Sequence, residues 1–465
     1  MGLFPLLLLS FLALSNAEVS RMMGVNYGQL GDNLPSPSES INLIKTLKAA
    51  RVKIYDANPE ILKALSGTPL QVSVMVPNEI ISNISSNQSA ADEWVRSKIL
   101  PFYPKTRIRI LLVGNEILSE YSNKQLWYDL VPAMRRVKRS LKNHNILNVK
   151  VGTPLAMDAL QTSFPPSNAT FRPDIAGTVM RPLLQFLNRT KSFYFADVYP
   201  YFVWAANPKT IKLEYALLKR TGITYADPGS GLTYTNLLDQ QLDALVAAMT
   251  RVGFGSVRVA IAETGWPTAG DIDQIGANIY NAATYNRNLG RKMAEDPPLG
   301  TPARPGRAIP TFVFSLYNEN KKPGPGTERN WGLFYPNGSR VYEVDLTGRR
   351  PDTAYGPLPV PLNDEPYKGK IWCVAKSGKR VNASDLGSAL SYACGQGNGT
   401  CDAIQRGKEC YKPNSLVSHA SYAFSSYWLQ FRSMGGNCYF GGLAVQTTKD
   451  PSYGSCQYPA VKLTD

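Results

Sequence analysis

Short segments that are apolar on both faces alternate with longer amphipathic ones, eight times over, and this pattern restricts the fold more than any other feature of the chain. The strand-like segments are Met22–Gly28, Val52–Asp56, Gln71–Pro77, Arg107–Glu116, Lys150–Leu155, Phe193–Phe202, Val257–Trp266 and Pro310–Asn320. They are rich in Val, Ile, Phe and Tyr, as parallel strands covered on both sides are. Between them, Ser38–Ala50 follows the helix-start cluster SPSES, and Ala90–Leu100 and Lys124–His144 carry charge on one face. Asn236–Val252 sets Leu237, Leu238, Leu242, Leu245 and Val246 near helical spacing, with Asp239 and Asp243 expected to face away; Gln274–Ala294 is another such stretch. Eight β/α rounds in about three hundred residues predict an α/β chain folded as a (β/α)8 TIM barrel. An open doubly wound sheet is disfavoured by the strand number and by the missing glycine-rich nucleotide fingerprint.

The flanks differ in kind. Residues 1–17 are almost all apolar and end in small residues at Asn16 and Ala17, which reads as a secretory signal. No later run could span a bilayer, and the C-terminus PAVKLTD is not a lipid-anchor tail, so a soluble extracellular protein is expected, with no membrane anchor and acting as a monomer. All six cysteines lie between Cys373 and Cys456, a disulfide framework in an exported chain. The Pro- and Gly-dense stretch Gly348–Pro366 has no periodicity and marks a boundary. The expected organisation is signal 1–17, barrel 18–347, linker 348–370 and a six-cysteine module 371–465. Seven N-x-[ST] sequons, at Asn83, Asn87, Asn168, Asn188, Asn337, Asn382 and Asn398, fit an exported glycoprotein. The net charge of +15 is scattered and accompanied by no nucleic-acid motif. Outside a cell it suits an acidic wall matrix such as pectin, or solubility alone.

In β/α barrels the reacting groups sit at the C-terminal ends of the strands. The fourth strand ends in Val113-Gly114-Asn115-Glu116 and the seventh carries Ala262-Glu263-Thr264-Gly265-Trp266-Pro267. Two carboxylates brought to one rim are what glycoside hydrolysis needs: one protonates the leaving oxygen, and the other attacks or stabilises the oxocarbenium-like sugar. A strand-end glutamate can also pair with an arginine or cap a helix. His144 and His419 have no ligand cluster around them, so neither metal nor cofactor is expected.

Five motifs spread in order along the barrel sharpen this reading: GVNYG (Gly24–Gly28), NLPSP (Asn33–Pro37), VGNE (Val113–Glu116), ETGWPT (Glu263–Thr268) and FSLYNENKKPGPGTERNWGLF (Phe314–Phe334). With them the chain resembles plant glycoside hydrolase family 17, the β-1,3-glucanases. The resemblance implies Glu116 as general acid/base and Glu263 as nucleophile of a retaining reaction on β-1,3-glucan. It also implies supporting roles for the set Glu319, Lys322 and Glu328. Asn115 could bond the sugar 2-hydroxyl, and Tyr199 could donate to Glu263. Sugar faces stack on aromatic rings, which makes Tyr27, Tyr201, Phe202, Trp266 and Phe334 candidate groove residues.

The C-terminal segment, with Trp372-Cys373-Val374-Ala375, Asn437-Cys438-Tyr439-Phe440-Gly441-Gly442 and its cysteine spacing, resembles the plant carbohydrate-binding family 43 module. Six cysteines allow fifteen pairings; the resemblance implies Cys373–Cys438, Cys394–Cys401 and Cys410–Cys456. Sugar contacts could come from Trp372, Tyr422, Tyr427, Trp428 and Tyr439. The module is expected to act as a tether that raises the local concentration of polymer. Two other readings are glucan transfer, which parts from hydrolysis only after the covalent step, and non-catalytic wall binding, against which both glutamates argue.

Overall fold

The computed structural model describes residues 19–378 and 381–463; the expected signal, residues 1–17, lies outside the described residues. The barrel strands are β1 (Gly24–Tyr27), β2 (Arg51–Ile54), β3 (Gln71–Val76), β4 (Arg107–Val113), β5 (Lys150–Gly152), β6 (Phe193–Asp197), β7 (Arg258–Thr264) and β8 (Thr311–Val313), all parallel. Past Thr153, β5 runs on as Pro154–Ala156. Its first half pairs with β4 (Ile110↔Lys150) and its second with β6 (Pro154↔Phe195), while β1 pairs with β8, so the ring closes through one interrupted strand.

Helices α1 (Pro37–Thr46), α2 (Pro59–Ala64), α3 (Gln88–Lys98), α4 (Gln125–Asn143), α5 (Arg181–Thr190), α6 (Leu237–Arg251) and α7 (Ile279–Ala294) lie in the connections. Their starts are written locally. Ser36 and Glu39 form a reciprocal capping box ahead of Pro37, and Asn58, Asn236 and Asn278 cap α2, α6 and α7; each cap satisfies backbone N–H groups that the first turn leaves unpaired. Apolar side chains between strands and helices form the main core. A smaller cluster holds Met75, Ile110, Leu112, Phe193, Phe195, Ala260 and Ala262. Their i, i+2 spacing within β4, β6 and β7 is that of one strand face, the face that fills the barrel.

Three expectations are corrected. The strands stop earlier than the apolar runs: β4 ends at Val113 and β6 at Asp197, with Pro200–Ala206 helical. Asp239 and Asp243 do not face solvent; Asp239 is buried in an ion pair with Lys292 (2.9 Å), and Asp243 accepts from the Ala303 amide (2.8 Å). Among the described residues β8 is followed by two short 3-10 turns, Gly326–Arg329 and Asp352–Ala354, in long loops rather than by an eighth barrel helix.

The C-terminal region has its own core. Strand β9 (Gly369–Ala375) lies between antiparallel β10 (Ala444–Thr447) and β11 (Val461–Leu463), covered by α9 (Leu416–Phe431), on which α8 (Ala383–Cys394) packs. Ile371, Trp372, Leu386, Phe424 and Trp428 fill it, and cystines join Cys373–Cys438, Cys394–Cys401 and Cys410–Cys456.

Candidate active site

A cleft of about 580 Å³ opens at the C-terminal ends of the strands, and both strand-end glutamates line it. Its floor is built from β2 and β7. Lys53, with no exposed atoms, donates from Nζ to Glu263 Oε1 at 2.6 Å; Tyr55 OH donates to the same oxygen at 2.6 Å, and Tyr199 OH to Oε2 at 2.8 Å. Asn26 fixes the Tyr55 hydroxyl from behind (3.0 Å). Burial pushes the Glu263 carboxyl up, but the Lys53 charge and the three donors outweigh it and hold the group below the usual carboxylate range.

Glu116 stands in the opposite electrostatic state. It lies three residues beyond β4 in the left-handed region (φ 48°), held where few non-glycine residues settle. Asn78 clamps the preceding peptide: its Oδ1 accepts from the Asn115 amide (2.8 Å) and its Nδ2 donates to the Asn115 carbonyl (3.1 Å). Burial, then the Glu263 charge, pushes the Glu116 carboxyl up to about 7, against an opposing pull from Lys53.

Asp197, opposite Glu263 in the β6–β7 register, is a third carboxyl on this cleft. Neither of its buried oxygens meets an N–H or hydroxyl donor; its side-chain partner is the Glu116 carboxyl. Two carboxyls can hydrogen-bond only if one is protonated. Burial and then the Glu263 charge drive the Asp197 carboxyl well above its ordinary range, and the nearby Glu116 carboxyl pushes the same way.

The rim carries the loop after β8. Glu319 is buried and accepts from the Leu30 amide (2.8 Å), and Lys322 Nζ lies 3.3 Å from Glu328 Oε2 and 4.3 Å from the Phe314 ring centre. Gly28 lets Glu319 approach: a Cβ there would fall 2.4 Å from both carboxylate oxygens. Asn115 lines the cleft with a buried, unpartnered Oδ1. The aromatic lining is Tyr55, Tyr199, Phe202, Phe314 and Trp331. Tyr27 and Trp266 are not part of it. Tyr27 is buried edge-on to Tyr317, and Trp266 is fully buried, donating to the Gly276 carbonyl (2.8 Å) and packing edge-on to Tyr201. Both are packing residues. A larger groove of about 930 Å³, by the starts of β6 and β7, has no carboxylate in its lining.

Residues 23–346 match the family model of glycosyl hydrolases family 17. The chain belongs to glycosyl hydrolases family 17. Residues 371–445 match the X8 domain. The chain is 55% identical to the "Probable glucan endo-1,3-beta-glucosidase A6" of Arabidopsis thaliana, over 96% of this chain and 92% of that protein. It is 37% identical to a glucan endo-1,3-beta-D-glucosidase of Olea europaea, over 98% and 97%. Among solved structures, a β-1,3-glucanase and allergen of Cryptomeria japonica pollen superposes with a TM-score of 0.66 at 39% identity, covering 70% of this chain and 99% of that one.

In this family 17 chain, sequence reasoning missed Lys53, Tyr55, Asp197 and Trp331. A signal for the first two was present: Arg51, Lys53 and Tyr55 recur at i, i+2 in an otherwise apolar strand, an expensive pattern unless the polar ends meet partners inside the barrel. In the X8 region the predicted contact residue Trp372 is buried, its Nε1 donating to the Tyr458 carbonyl (3.2 Å), so it is a core residue. Tyr439 has one face covered by the Arg329 guanidinium, 3.9 Å from the ring centre. The open aromatic surface is elsewhere: Tyr392 is 54% exposed and lies 5.8 Å from Tyr427, which stacks on Phe431.

Proposed function

We propose that this chain hydrolyses internal β-1,3-glucosidic bonds of β-1,3-glucan with retention of configuration, Glu116 serving as acid/base and Glu263 as nucleophile. The observation that carries the reading is the split between two carboxyls on one cleft, one held up to about 7 and the other held down by Lys53, Tyr55 and Tyr199. An acid that keeps its proton near neutrality beside a carboxylate that stays ionised is the pairing this reaction requires. Relatives named as glucan endo-1,3-β-glucosidases support the linkage.

Glu116 gives its proton to the glycosidic oxygen as the Glu263 carboxylate attacks C1, and the aglycone leaves. The Glu116 carboxylate then takes a proton from water, which attacks C1 and frees Glu263. Asp197 donates to one Glu116 oxygen in both half-reactions, which leaves the other oxygen to carry the working proton. Asn115 Oδ1 is available to a sugar hydroxyl, and Trp331 and Phe202 supply apolar faces for sugar rings. The X8 module adds a second glucan contact through Tyr392 and Tyr427. Export to the cell wall fits the three cystines, which need an oxidising compartment.

Azide rescue of alanine variants tests the roles. With an aryl β-glucoside that needs no acid, Glu116→Ala should turn over and yield the β-glucosyl azide, while on laminarin it loses about 10²–10⁴-fold. Glu263→Ala should be inactive on both without azide, and with azide should turn over the aryl glucoside to the α-azide. The reverse pattern of azide anomers would reject the assignment.

A further inference from the structure

The module was expected to be a tether, yet three sets of contacts fix it to the barrel beside the cleft. The first is the linker itself. Asn363 and Asp364 are bonded along the loop after β7: the Gly276 amide donates to the Asn363 carbonyl (2.6 Å), and Asn278 and Asn281 donate to Asp364 Oδ1 (2.9 and 2.6 Å). This pins the chain only five residues before β9 begins at Gly369. The second is Asp273, in that same loop. Its Oδ2 accepts from Arg432 Nε and Nη2 (3.1 and 2.8 Å) and its Oδ1 from Gln446 Nε2 (2.9 Å), while the neighbouring Ile272 packs against the module core. The third is Arg329, which lies flat on the Tyr439 ring at 3.9 Å and donates from Nη1 to the carbonyls of Lys322 (3.1 Å) and Gly324 (3.0 Å).

These points share one destination. Asp273 and Arg329 belong to the loops after β7 and β8, and those loops are stitched together. The Gly326 amide donates to Asp271 Oδ2 (2.7 Å), Gln274 exchanges bonds with Thr327 (2.8 and 2.9 Å), and Thr268 Oγ1 donates to the Asn330 carbonyl (2.9 Å). The stitched loops carry Lys322, Glu328 and Trp331, one wall of the cleft. Tyr439 therefore reaches the backbone of Lys322 through a single guanidinium.

We propose that the six-cysteine module is a docked wall of the catalytic cleft, gripping Asp273 and Arg329 so as to hold the Lys322–Trp331 loop in its glucan-binding shape. The module then acts on turnover of glucan too short to reach its own sugar surface, which a tether cannot do. The turnover part rests on the glucanase reading; the docking does not.

The test uses the full chain with Arg432→Glu, which opposes Asp273 with a like charge, and the swap Arg432→Glu/Asp273→Arg. Hydrogen exchange over residues 324–330 is read without substrate, and kcat/KM is read on short soluble β-1,3-gluco-oligosaccharides. Arg432→Glu should speed exchange in that loop and lower kcat/KM about three- to tenfold, and the swap should recover both. Unchanged exchange overturns the docking. Faster exchange with unchanged kcat/KM overturns the bracing. A wild-type chain that shows the exchange pattern but cleaves no β-1,3-glucan would instead sink the substrate assignment and leave the docking standing.

Discussion

A fully buried lysine is costly unless its charge is met, and Lys53 is met by Glu263, the carboxylate proposed as nucleophile. The same charge pulls down Glu116, so a single side chain sets both ends of the working pH range. The proposed roles need Glu263 ionised and Glu116 protonated, so kcat/KM should fall as pH drops through the Glu263 value and as pH rises through about 7. Lys53→Met removes a cation that favours both carboxylates, so both limbs should move to higher pH, with a loss at the optimum of about 10²–10³-fold; limbs that stay in place would refute this role for Lys53. Asp197 gives a second test. Asp197→Asn keeps a neutral donor toward Glu116 and should keep the alkaline limb. Asp197→Leu takes a donor from the Glu116 carboxylate, raises that carboxyl further and should shift the alkaline limb upward. Equal loss in both variants with neither limb moved would leave Asp197 a packing residue. Glu116 and Glu263 were legible in the sequence because each closes an apolar strand in a recognisable motif. Lys53 left a trace in the polar i, i+2 pattern of β2, but its partner could not be read, and Asp197 left no trace, because the residue that each one meets is set by strands far apart in sequence.

At the scale of elements, a tight constraint lies between the end of β4 and Glu116. Gly114 has φ 70°, and a Cβ there would fall 2.6 Å from Ile81 Cδ1 and 2.7 Å from Ile117 Cγ1. Gly114→Ala must therefore displace these isoleucines or shift a backbone already strained by its positive φ, two residues before Glu116. A displacement of about 1 Å can cost 10²-fold in rate, and overpacking costs about 1–3 kcal/mol in stability. The expected result is a kcat lowered by up to about that factor, with KM little changed and a reduced Tm; an unaltered kcat would show that the loop absorbs the change. The eight strands could be read from the sequence because parallel strands covered on both faces are continuous apolar runs. That same continuity hid the end of β6: past Asp197 the chain stays apolar and aromatic while leaving the sheet, so the run Phe193–Phe202 overshoots, whereas Arg107–Glu116 overshoots because it takes in the turn Gly114-Asn115-Glu116 beyond Val113. On α6 the helical period was visible but its outer face was misjudged, since Asp239 and Asp243 are covered by Lys292 and the loop at Ala303.

For the molecule as a whole, sequence spacing separated barrel from module correctly in kind, because all the cysteines fall on one side of a proline-rich stretch. It could not reveal that the stretch is pinned at Asn363 and Asp364, since those bonds reach back to a loop more than eighty residues earlier. The two cores stay distinct: among the described residues, Ile272 of the barrel packs against the module core, and Asp273 and Arg329 meet the module through polar and cation–π contacts. Reduction by a thiol should therefore act on one unit. Each lost cystine costs about 2–5 kcal/mol in a small domain, enough to unfold the module, whereas the barrel has no cystine and keeps its own core. Calorimetry should show two transitions, of which thiol abolishes one and leaves the other close to its original temperature. The reduced protein should lose retention on insoluble β-1,3-glucan, and its kcat/KM on short oligosaccharides should drop only by the factor expected for Arg432→Glu. A single transition lost entirely on reduction would mean that the module completes the barrel's fold, and the cleft wall would then owe its shape to shared folding rather than to docking at Asp273 and Arg329.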